Sequence, residues 1–195
     1  MTISPDHRPR LIVMVKEPRA GRVKTRLGHD IGMTAAAWWF RHQTRALLRR
    51  LRDPRWDLIL AVSPDKEGAS SRVWPPDLPR LLQGRGNLGT RMKRIFDMAP
   101  PGPALIIGAD IPGIRKAHIR RAFRALGSSD AVIGPAPDGG YWLIGLKRHR
   151  AMPVALFANV RWSSENALSD TVLTLKHCRV SYVDSLRDVD TAADL

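Results

Sequence analysis

Aspartates stand just beyond apolar runs at two places in the chain, where they could bind a metal ion. Asp110 follows the run "ALIIG" at 104–108, and Asp188 and Asp190 follow "RVSYV" at 179–183. A Mg²⁺ or Mn²⁺ ion bound to a nucleotide takes protein carboxylates and completes its shell with phosphate and water. Because the carboxyl ends of parallel strands meet at one edge of a sheet, we predict that these aspartates are metal ligands. The alternatives are a turn at Asp110 and a helix N-terminus at Asp188 and Asp190, where acids are also favoured.

A basic segment follows the first apolar run, "LIVMV" at 11–15. It places cations beside a glycine that lets the backbone approach a ligand closely, a combination that suits a diphosphate or a triphosphate. Its likeness to a P-loop, "GRVKT", fails because Val23 stands where that motif requires glycine. An ordinary exposed basic loop is the alternative. The residues of this segment that we expect to contact phosphate or substrate are Lys16, Gly21, Arg22, Lys24 and Arg26.

Two glycine-rich stretches are further candidates for ligand contact. The stretch "PAPDGGYW" at 135–142 is either a plain hairpin turn or the wall of a substrate pocket. The stretch "QGRGNLGTRM" at 83–92 is either an anion-contacting loop before a helix N-terminus or a mobile surface loop. The residues that we expect to contact substrate in these stretches are Arg91, Asp138, Gly139, Gly140 and Tyr141.

Apolar runs of strand length alternate with amphipathic segments, which predicts a single α/β domain with a central, mainly parallel sheet flanked by helices. The domain is expected over 10–195, after a flexible tail over 1–9. The polar stretch 16–28 and the proline-rich stretch between 62 and 81 are predicted loops. Predicted strands are 11–15, 56–62, 104–108, 130–134, 141–146 and 179–183, and predicted helices are 33–52, 89–98, 116–126, 163–177 and a last one that begins at Thr191.

The composition indicates a globular protein with excess positive charge. Lys and Arg number 32 against 18 Asp and Glu, a net charge of +14, which fits phosphorylated small molecules and also nucleic acid. The aromatic pattern of RNA-binding proteins is missing, so we expect no nucleic-acid partner. The row Arg41, Arg45, Arg49 and Arg52 has helical spacing and is expected to be a solvated helix face.

The sequence also indicates the cellular compartment of the protein. No apolar run approaches the ~20 residues that a membrane span needs, and the N-terminal residues lack the apolar core of a signal peptide. The single cysteine, Cys178, excludes an internal disulfide and is expected to be a small buried or half-buried apolar side chain. These features predict a cytoplasmic protein without a membrane span.

Taken in order along the chain, several segments resemble the bacterial selenodomain-associated, or arsenosugar-biosynthesis, transferases. The segments are "VKEPRAGRVKTRL", "GNLGTRM", "GADIP", "GPAPDGGYWLIGL", "VRWSS" and "DVDTAADL". The resemblance covers nearly the whole chain and implies the GT-A fold, a Rossmann-like fold, of nucleotide-diphospho-sugar transferases. More distantly, "VKTRL", the aspartate at a strand end and the terminal aspartates are similar to phospholactate guanylyltransferases.

The resemblance also implies roles for individual residues. Asp110 would be the principal metal ligand, although Ala109 replaces the first acid of the DxD motif of GT-A enzymes. Asp190 would be the second ligand, with Asp188 as a supporting or alternative one. The remaining implied residues are Lys24 and Arg26, which would hold the nucleotide phosphates as part of the catalytic set with Asp110, and Trp162, which would contact substrate.

We therefore expect a metal-dependent, glycosyltransferase-like enzyme that uses a nucleotide-activated sugar, a small-molecule acceptor and Mg²⁺ or Mn²⁺. Nucleotidyl transfer to a small phosphorylated or sugar acceptor is the alternative, because the basic segment suits a departing pyrophosphate. A nucleic-acid-binding protein without catalysis and a nucleotide sensor stay open as alternatives of other classes. A homodimer also stays open, because Trp38, Trp39 and Trp142 fit either a core or a contact between two copies.

Overall fold

The computed structural model describes residues 8–149 and 151–195. Of the tail predicted over 1–9, only residues 8 and 9 belong to the described part, and the rest lies outside it. Within the described residues, a seven-stranded sheet with the order β3-β2-β1-β4-β6-β5-β7 forms the centre of a single α/β domain, as predicted. The strands are β1 (Arg10–Lys16), β2 (Asp57–Ser63), β3 (Arg80–Leu82), β4 (Ala104–Ile107), β5 (Ala131–Pro135), β6 (Tyr141–Leu146) and β7 (Val180–Tyr182).

The sheet is mainly parallel because helices or long connections separate most of its neighbouring strands. Strand β6 runs antiparallel to β4 and β5, and the other neighbouring pairs in the described part are parallel. The antiparallel pair β5 and β6 is joined by the glycine-rich turn, so the hairpin expected as one alternative for this stretch does form. The helices are α1 (Thr25–Ile31), α2 (Met33–Leu51), α3 (Asp65–Ser70), α4 (Leu88–Met98), α5 (Lys116–Ser128) and α6 (Ala167–Thr174), followed by a 3₁₀ turn, Ala192–Asp194.

Both faces of the sheet are buried, which explains why its central strands are continuous apolar runs. Along β1, Leu11 and Val13 pack into the core beneath α2 and α5, whereas Ile12 packs into the core beneath α4 and α6. Neighbouring side chains on a strand point to opposite faces, so an uninterrupted apolar run is needed to fill both cores.

The stretch 16–28 was predicted as a loop, and this prediction is wrong for its last four residues, where α1 begins. Leu27 of α1 is fully buried and packs with Ala36 of α2. Gly28 lies so close to α2 that a Cβ there would come within 2.5 Å of the Met33 sulfur. The helix is only seven residues long and is stabilised by this packing, so it leaves little helical periodicity in the sequence.

The proline-rich connection was likewise predicted as a loop but contains α3 and the edge strand β3. Helix 163–177 was predicted too long at both ends, because α6 spans only Ala167–Thr174. Ser163 has a left-handed backbone with φ of 59°, and the Ser164 hydroxyl donates to the carbonyl of Arg161 at 2.7 Å. Serine side chains that bond the backbone in this way favour turns over a regular helix.

The tryptophans left open by the sequence have different environments. Trp142 is buried, and its indole nitrogen donates a hydrogen bond to the carbonyl of Asp184 at 2.8 Å. Trp39 is partly buried against the core, whereas Trp38 is 60% exposed on α2, where it stacks on His42. The half-buried Cys178 fits its predicted role as a small apolar side chain.

The row of arginines on α2 is largely solvated. Arg45, Arg49 and Arg52 are exposed, as predicted, and Arg41 is half-buried. None of the helices in the described residues combines the length and the apolar character needed to cross a membrane.

Candidate active site

A cleft of about 730 Å³ opens at the carboxyl ends of β1 and β4. Parallel strands present their carboxyl ends and the following loops at one edge, which is where α/β proteins bind ligands. The structure brings together at this edge residues that the sequence analysis placed in separate segments. Those that line the cleft are Lys16, Arg22, Lys24, Arg26, Asp110, Asp138, Tyr141 and Asp190.

The predicted metal ligands meet at this cleft, which Asp110 and Asp190 line. One carboxylate oxygen from each of Asp110, Asp188 and Asp190 lies within 4.8 Å of the others, and the three side chains are half-buried. We call these residues the acidic triad. The C-terminal segment reaches Asp110 because the backbone amide of Val189 donates a hydrogen bond to the backbone carbonyl of Asp110 at 3.2 Å.

Two features of the C-terminal segment hold its aspartates in place. The side chain of Val189 is only 4% exposed and packs with Leu27 and Ala36, so the flanking acids are carried to the cleft by a buried anchor. Immediately beyond, the carboxylate of Asp194 accepts hydrogen bonds from the amide of Asp190 and from the amide and hydroxyl of Thr191. These bonds form the capping arrangement that the spacing predicted, although the element that follows is a short 3₁₀ turn.

The ammonium of Lys24 lies within the acidic triad. Its Nζ is 2.5 Å from Asp110 Oδ2, 2.6 Å from Asp190 Oδ1 and 3.5 Å from Asp188 Oδ2. The Lys24 side chain is 8% exposed, and Arg26 adds a second cation 3.0 Å from the other oxygen of Asp190. Lys24 immediately precedes α1 and has a left-handed backbone with φ of 45°, so the start of α1 positions its side chain.

The charges in the triad shift one another's pKa. Burial lowers the pKa of Lys24, but the charges and hydrogen bonds of Asp110 and Asp190 outweigh burial, and the pKa is raised overall. Burial raises the pKa of Asp190, but the hydrogen bond and charge of Lys24, with Arg26, lower it overall. Burial and the two neighbouring carboxylates raise the pKa of Asp188 more than Lys24 lowers it. The single ammonium of Lys24 therefore lowers the pKa of Asp190 but does not outweigh burial at Asp188.

The donor set fits Mg²⁺ or Mn²⁺. Both ions prefer carboxylate oxygens, and a metal ion bound to a nucleotide leaves part of its shell to phosphate and water. The oxygens of the acidic triad are close enough to share one cation. The residues that would hold such an ion are Asp110, Asp188 and Asp190, the three named as metal ligands in the sequence analysis.

Two walls of the cleft differ in charge. Among the described residues, every Lys or Arg that lines the cleft comes from the end of β1 or from the segment after it. We call these residues, Lys16, Arg22, Lys24 and Arg26, the cationic wall. A second group of lining residues carries hydroxyls and acids and includes no described Lys or Arg. It comes from the turn between β5 and β6, the start of β6 and the residues before α6. This polar wall consists of Asp138, Tyr141, Ser163, Ser164 and Glu165.

Close backbone packing holds the polar wall together. Gly139 has φ of +84°, and a Cβ there would come within 2.2 Å of the carbonyl oxygen of Glu165. The carbonyl of Gly139 also accepts a hydrogen bond from the amide of Leu168 at 3.0 Å. Burial raises the pKa of Tyr141, so its hydroxyl stays protonated and can donate a hydrogen bond but cannot act as a base.

Several predicted substrate-contacting residues are not among those that line the cleft. Gly21, with φ of 72°, forms a turn within the basic segment, and the amide of Gly140 donates to Asp138 Oδ1 at 3.0 Å. The guanidinium of Arg91 donates to the carbonyl of Gly86 and so holds its own loop. Trp162 packs edge-on against Tyr141, with ring centroids 6.4 Å apart.

Sequence reasoning missed some residues that line the cleft, among them Gln83 and Glu165. Gln83 is 4% exposed, and its amide nitrogen donates to the carbonyls of Val15 and Ala61 at 3.2 and 2.8 Å. Both bonds use the amide nitrogen of Gln83 as the donor, so its amide oxygen remains to accept a hydrogen bond from a ligand. The only sequence signals were that Gln83 begins the stretch "QGRGNLG" and that Glu165 directly follows "VRWSS".

Comparison with known proteins agrees with this architecture. The sequence profile of the family described as "Uncharacterized protein conserved in bacteria (DUF2064)" matches residues 46–164. No curated protein sequence matches the chain. A solved structure from Desulfovibrio desulfuricans G20, provisionally named a nucleotide-diphospho-sugar transferase, is 30% identical with a TM-score of 0.82, over 94% of this chain and 83% of that one.

More distant solved structures share the fold. Rv0371c of Mycobacterium tuberculosis H37Rv, solved in complex with manganese, is 18% identical with a TM-score of 0.54, over 95% of each chain. A CMP:2-keto-3-deoxy-manno-octonic acid synthetase, solved in complex with CTP, is 11% identical with a TM-score of 0.57, over 95% of this chain and 94% of that one. At these identities the similarity concerns the fold alone.

Proposed function

This chain belongs to the DUF2064 family, and on that premise we propose that it is a metal-dependent transferase that uses a nucleotide-activated sugar. The observation that carries the proposal is the meeting of Lys24 with Asp110, Asp188 and Asp190 in a cleft at the carboxyl edge of the sheet. This edge is where α/β proteins bind nucleotides, and the arrangement combines carboxylates for a metal ion with cations for phosphates.

The relatives support the choice of substrate and of metal ion. The Desulfovibrio protein is provisionally named for nucleotide-diphospho-sugar transfer, and Rv0371c was solved with manganese. The segments that resemble selenodomain-associated, or arsenosugar-biosynthesis, transferases also favour a sugar donor. They include "GADIP", which carries Asp110, and "GPAPDGGYWLIGL", which carries Asp138 and Tyr141 of the polar wall.

The two walls suggest where each substrate binds. The diphosphate of the donor would lie against the cationic wall, where Arg22, Lys24 and Arg26 can offset its charge. The acceptor would lie against the polar wall, whose hydroxyls and carboxylates suit a sugar or another small molecule with hydroxyl groups. The Gln83 amide oxygen would accept a hydrogen bond from the nucleotide.

The reaction would be a displacement at the anomeric carbon. The acceptor hydroxyl oxygen forms a bond to that carbon, and the bond from the carbon to the nucleoside diphosphate breaks. Lys24 and Arg26 stabilise the negative charge on the departing diphosphate. The hydroxyl proton passes to a carboxylate, and Asp138 and Glu165 are the carboxylates of the polar wall. Mg²⁺ or Mn²⁺ held by the acidic triad would supply further charge neutralisation for the leaving group.

Nucleotidyl transfer is a second candidate, and the cationic wall favours it. This wall brings together four cations, and a triphosphate carries more negative charge for them to offset than a diphosphate does. The four are Lys16, Arg22, Lys24 and Arg26. In that reaction an acceptor oxygen bonds to the α-phosphorus, and the bond from this phosphorus to the pyrophosphate oxygen breaks. The CTP complex of the octonic acid synthetase shows that this fold accommodates a nucleoside triphosphate.

A thermal-shift panel tests the proposal. Nucleoside triphosphates and nucleotide-sugars are each added with and without Mn²⁺ to the wild type, Asp110→Asn and Asp97→Asn. Asp97 is an exposed acid on α4 outside the lining of the cleft and serves as the matched control. We expect metal-dependent stabilisation by a nucleotide-sugar in the wild type and in Asp97→Asn, and its loss in Asp110→Asn.

The outcome also separates the candidates. Stronger stabilisation by a triphosphate, with pyrophosphate release, would favour nucleotidyl transfer over glycosyl transfer. Stabilisation without turnover on any acceptor tested would indicate a nucleotide sensor. A folded wild type that no nucleotide stabilises, or stabilisation that survives in Asp110→Asn, would contradict the proposed role of the acidic triad.

A further inference from the structure

The position of the Lys24 ammonium conflicts with the role that phosphate binding would give it. A lysine that holds nucleotide phosphates should face the ligand, yet Lys24 Nζ is 2.5 and 2.6 Å from Asp110 and Asp190. The third carboxylate, Asp188, is 3.5 Å away. An ammonium has three N–H donors and no acceptor, so its donors match the three carboxylates of the acidic triad in number.

The ammonium and a divalent cation cannot occupy the triad together. Mg²⁺ binds oxygen at about 2.0–2.1 Å and larger hard cations at about 2.3–2.6 Å. The triad oxygens lie within 4.8 Å of one another, so a metal ion that contacts them takes the space now filled by Lys24 Nζ. A metal ion must therefore displace the lysine, and the displaced ammonium loses its carboxylate partners in a site where its side chain is 8% exposed.

Displacement is unfavourable unless the ammonium gains a new anion. The backbone of Lys24 is fixed at the start of α1, but its side chain has four rotatable bonds and lines the cleft with the other members of the cationic wall. A phosphate group bound at that wall would supply the anion that the ammonium needs. Free metal ions bring no such group, whereas a metal–nucleotide complex brings the divalent cation and the phosphate together.

We propose that Lys24 is the built-in counter-ion of the acidic triad, and that the protein takes up its metal as a metal–nucleotide complex. In the free protein Lys24 offsets part of the charge of the triad and resists binding of the free ion. When the complex enters, the metal replaces the ammonium between the carboxylates and the ammonium moves to the phosphates. Metal and nucleotide thereby raise each other's affinity by the same factor, as linkage requires. The uptake of the metal together with a nucleotide rests on the proposed function, whereas the counter-ion role of Lys24 does not.

Calorimetric titration with Mn²⁺ alone tests the counter-ion. The proteins are the wild type, Lys24→Met and Lys176→Met. Lys176 is an exposed lysine outside the lining of the cleft and makes no ion pair with the triad, so Lys176→Met is the matched control. We expect Lys24→Met to bind free Mn²⁺ at least about tenfold more tightly than the wild type, because the competing cation is gone. Lys176→Met should bind free Mn²⁺ as the wild type does.

The melting temperature provides a second measurement should Lys24→Met fold poorly. Without its counter-ion, the triad places like charges together, so Lys24→Met should melt below the wild type in a chelator and recover when Mn²⁺ is added. The wild type should respond little to Mn²⁺ alone. Free Mn²⁺ binding in Lys24→Met that is no tighter than in the wild type, together with no recovery by Mn²⁺, would overturn the counter-ion role.

Repeating the titration in the presence of CTP tests the coupling. We expect CTP to raise the Mn²⁺ affinity of the wild type by a larger factor than that of Lys24→Met, because only the wild type must relocate an ammonium. An equal factor in both proteins would overturn the exchange. If CTP and the nucleotide-sugars bind to none of the proteins, the proposed function fails, while the titration with Mn²⁺ alone still decides the counter-ion role.

Discussion

The backbone amide of Val189 donates a hydrogen bond to the backbone carbonyl of Asp110 at 3.2 Å. This bond joins the C-terminal segment to the residues that follow β4, two parts of the chain that are far apart in sequence. Asp188 and Asp190 flank Val189, so the same contact brings both acids to Asp110. The acidic triad therefore depends on an anchor that is itself apolar and lies outside the cleft lining.

Shortening this anchor should weaken both the fold and the metal site. Val189 is 4% exposed, so Val189→Ala is expected to lower the free energy of unfolding by about 1–2 kcal/mol through lost burial and a small cavity. Mn²⁺ binding in the presence of CTP should also weaken, because the flanking acids are held less firmly. Urea denaturation and calorimetry measure the two effects. Val154→Ala, at a position that is 96% exposed, should change the free energy of unfolding by less than about 0.5 kcal/mol.

A methyl group at Gly139 should disrupt the polar wall. Its Cβ would lie 2.2 Å from the carbonyl oxygen of Glu165, and the φ of +84° is unfavourable for any side chain. We expect Gly139→Ala to lower the free energy of unfolding by about 2 kcal/mol or more. Gly127→Ala in α5, where nothing lies within 4 Å of the added Cβ, should be neutral or stabilising by up to about 1 kcal/mol. Equal effects of the two changes in urea denaturation would contradict the close packing of the wall.

The ion pair of Arg161 and Asp170 should give stability that depends on pH. The guanidinium donates to both carboxylate oxygens at 2.9 Å, and this pairing lowers the pKa of Asp170 from 3.8 to about 2. Because the folded protein holds the proton less tightly than the unfolded chain, the contribution is complete above the ordinary pKa and is lost as the pH falls toward 2.

Variants of this pair isolate its contribution from the other acids. The difference in urea midpoint between the wild type and Asp170→Asn should be largest near neutral pH and shrink between about pH 4 and pH 2. Arg161→Gln should show the same trend, and the double variant should add little to either single one. A difference that stays constant down to about pH 2 would show that the ion pair does not lower the Asp170 pKa.

The exposed arginines of α2 test the nucleic-acid alternative. Arg45 and Arg49 are exposed and form no ion pair with any residue in 8–149 or 151–195, so their charge is free to attract polyanions. The double change Arg45→Glu and Arg49→Glu is expected to elute from heparin at lower salt, because fewer phosphate-like groups are neutralised. Stabilisation by nucleotide and Mn²⁺ should be unchanged. Loss of that stabilisation would mean that α2 takes part in the ligand site.

The local sequence pattern was sufficient to predict most of the architecture. Runs such as "LIVMV" and "ALIIG" predicted strands buried on both faces, and β1 and β4 form there. The helical spacing of apolar residues predicted α2 nearly to the residue, because its buried face spans many turns. Short elements such as α1 and β3 were missed, since their stability comes from neighbours such as α2 and β2 rather than from their own period.

By itself, the sequence determined the fold class and the chemical types of the candidate site, because burial pattern and side-chain chemistry are local properties. Asp110, Asp188, Asp190 and Lys24 could all be named without a structure. Only the tertiary structure decided which of these groups touch. The Val189 anchor closes the acidic triad, and the backbone at the start of α1 directs Lys24 into it. Contacts between distant segments depend on how the sheet orders its strands and on which side chains fill the gaps between them, and neither leaves a periodic mark in the sequence.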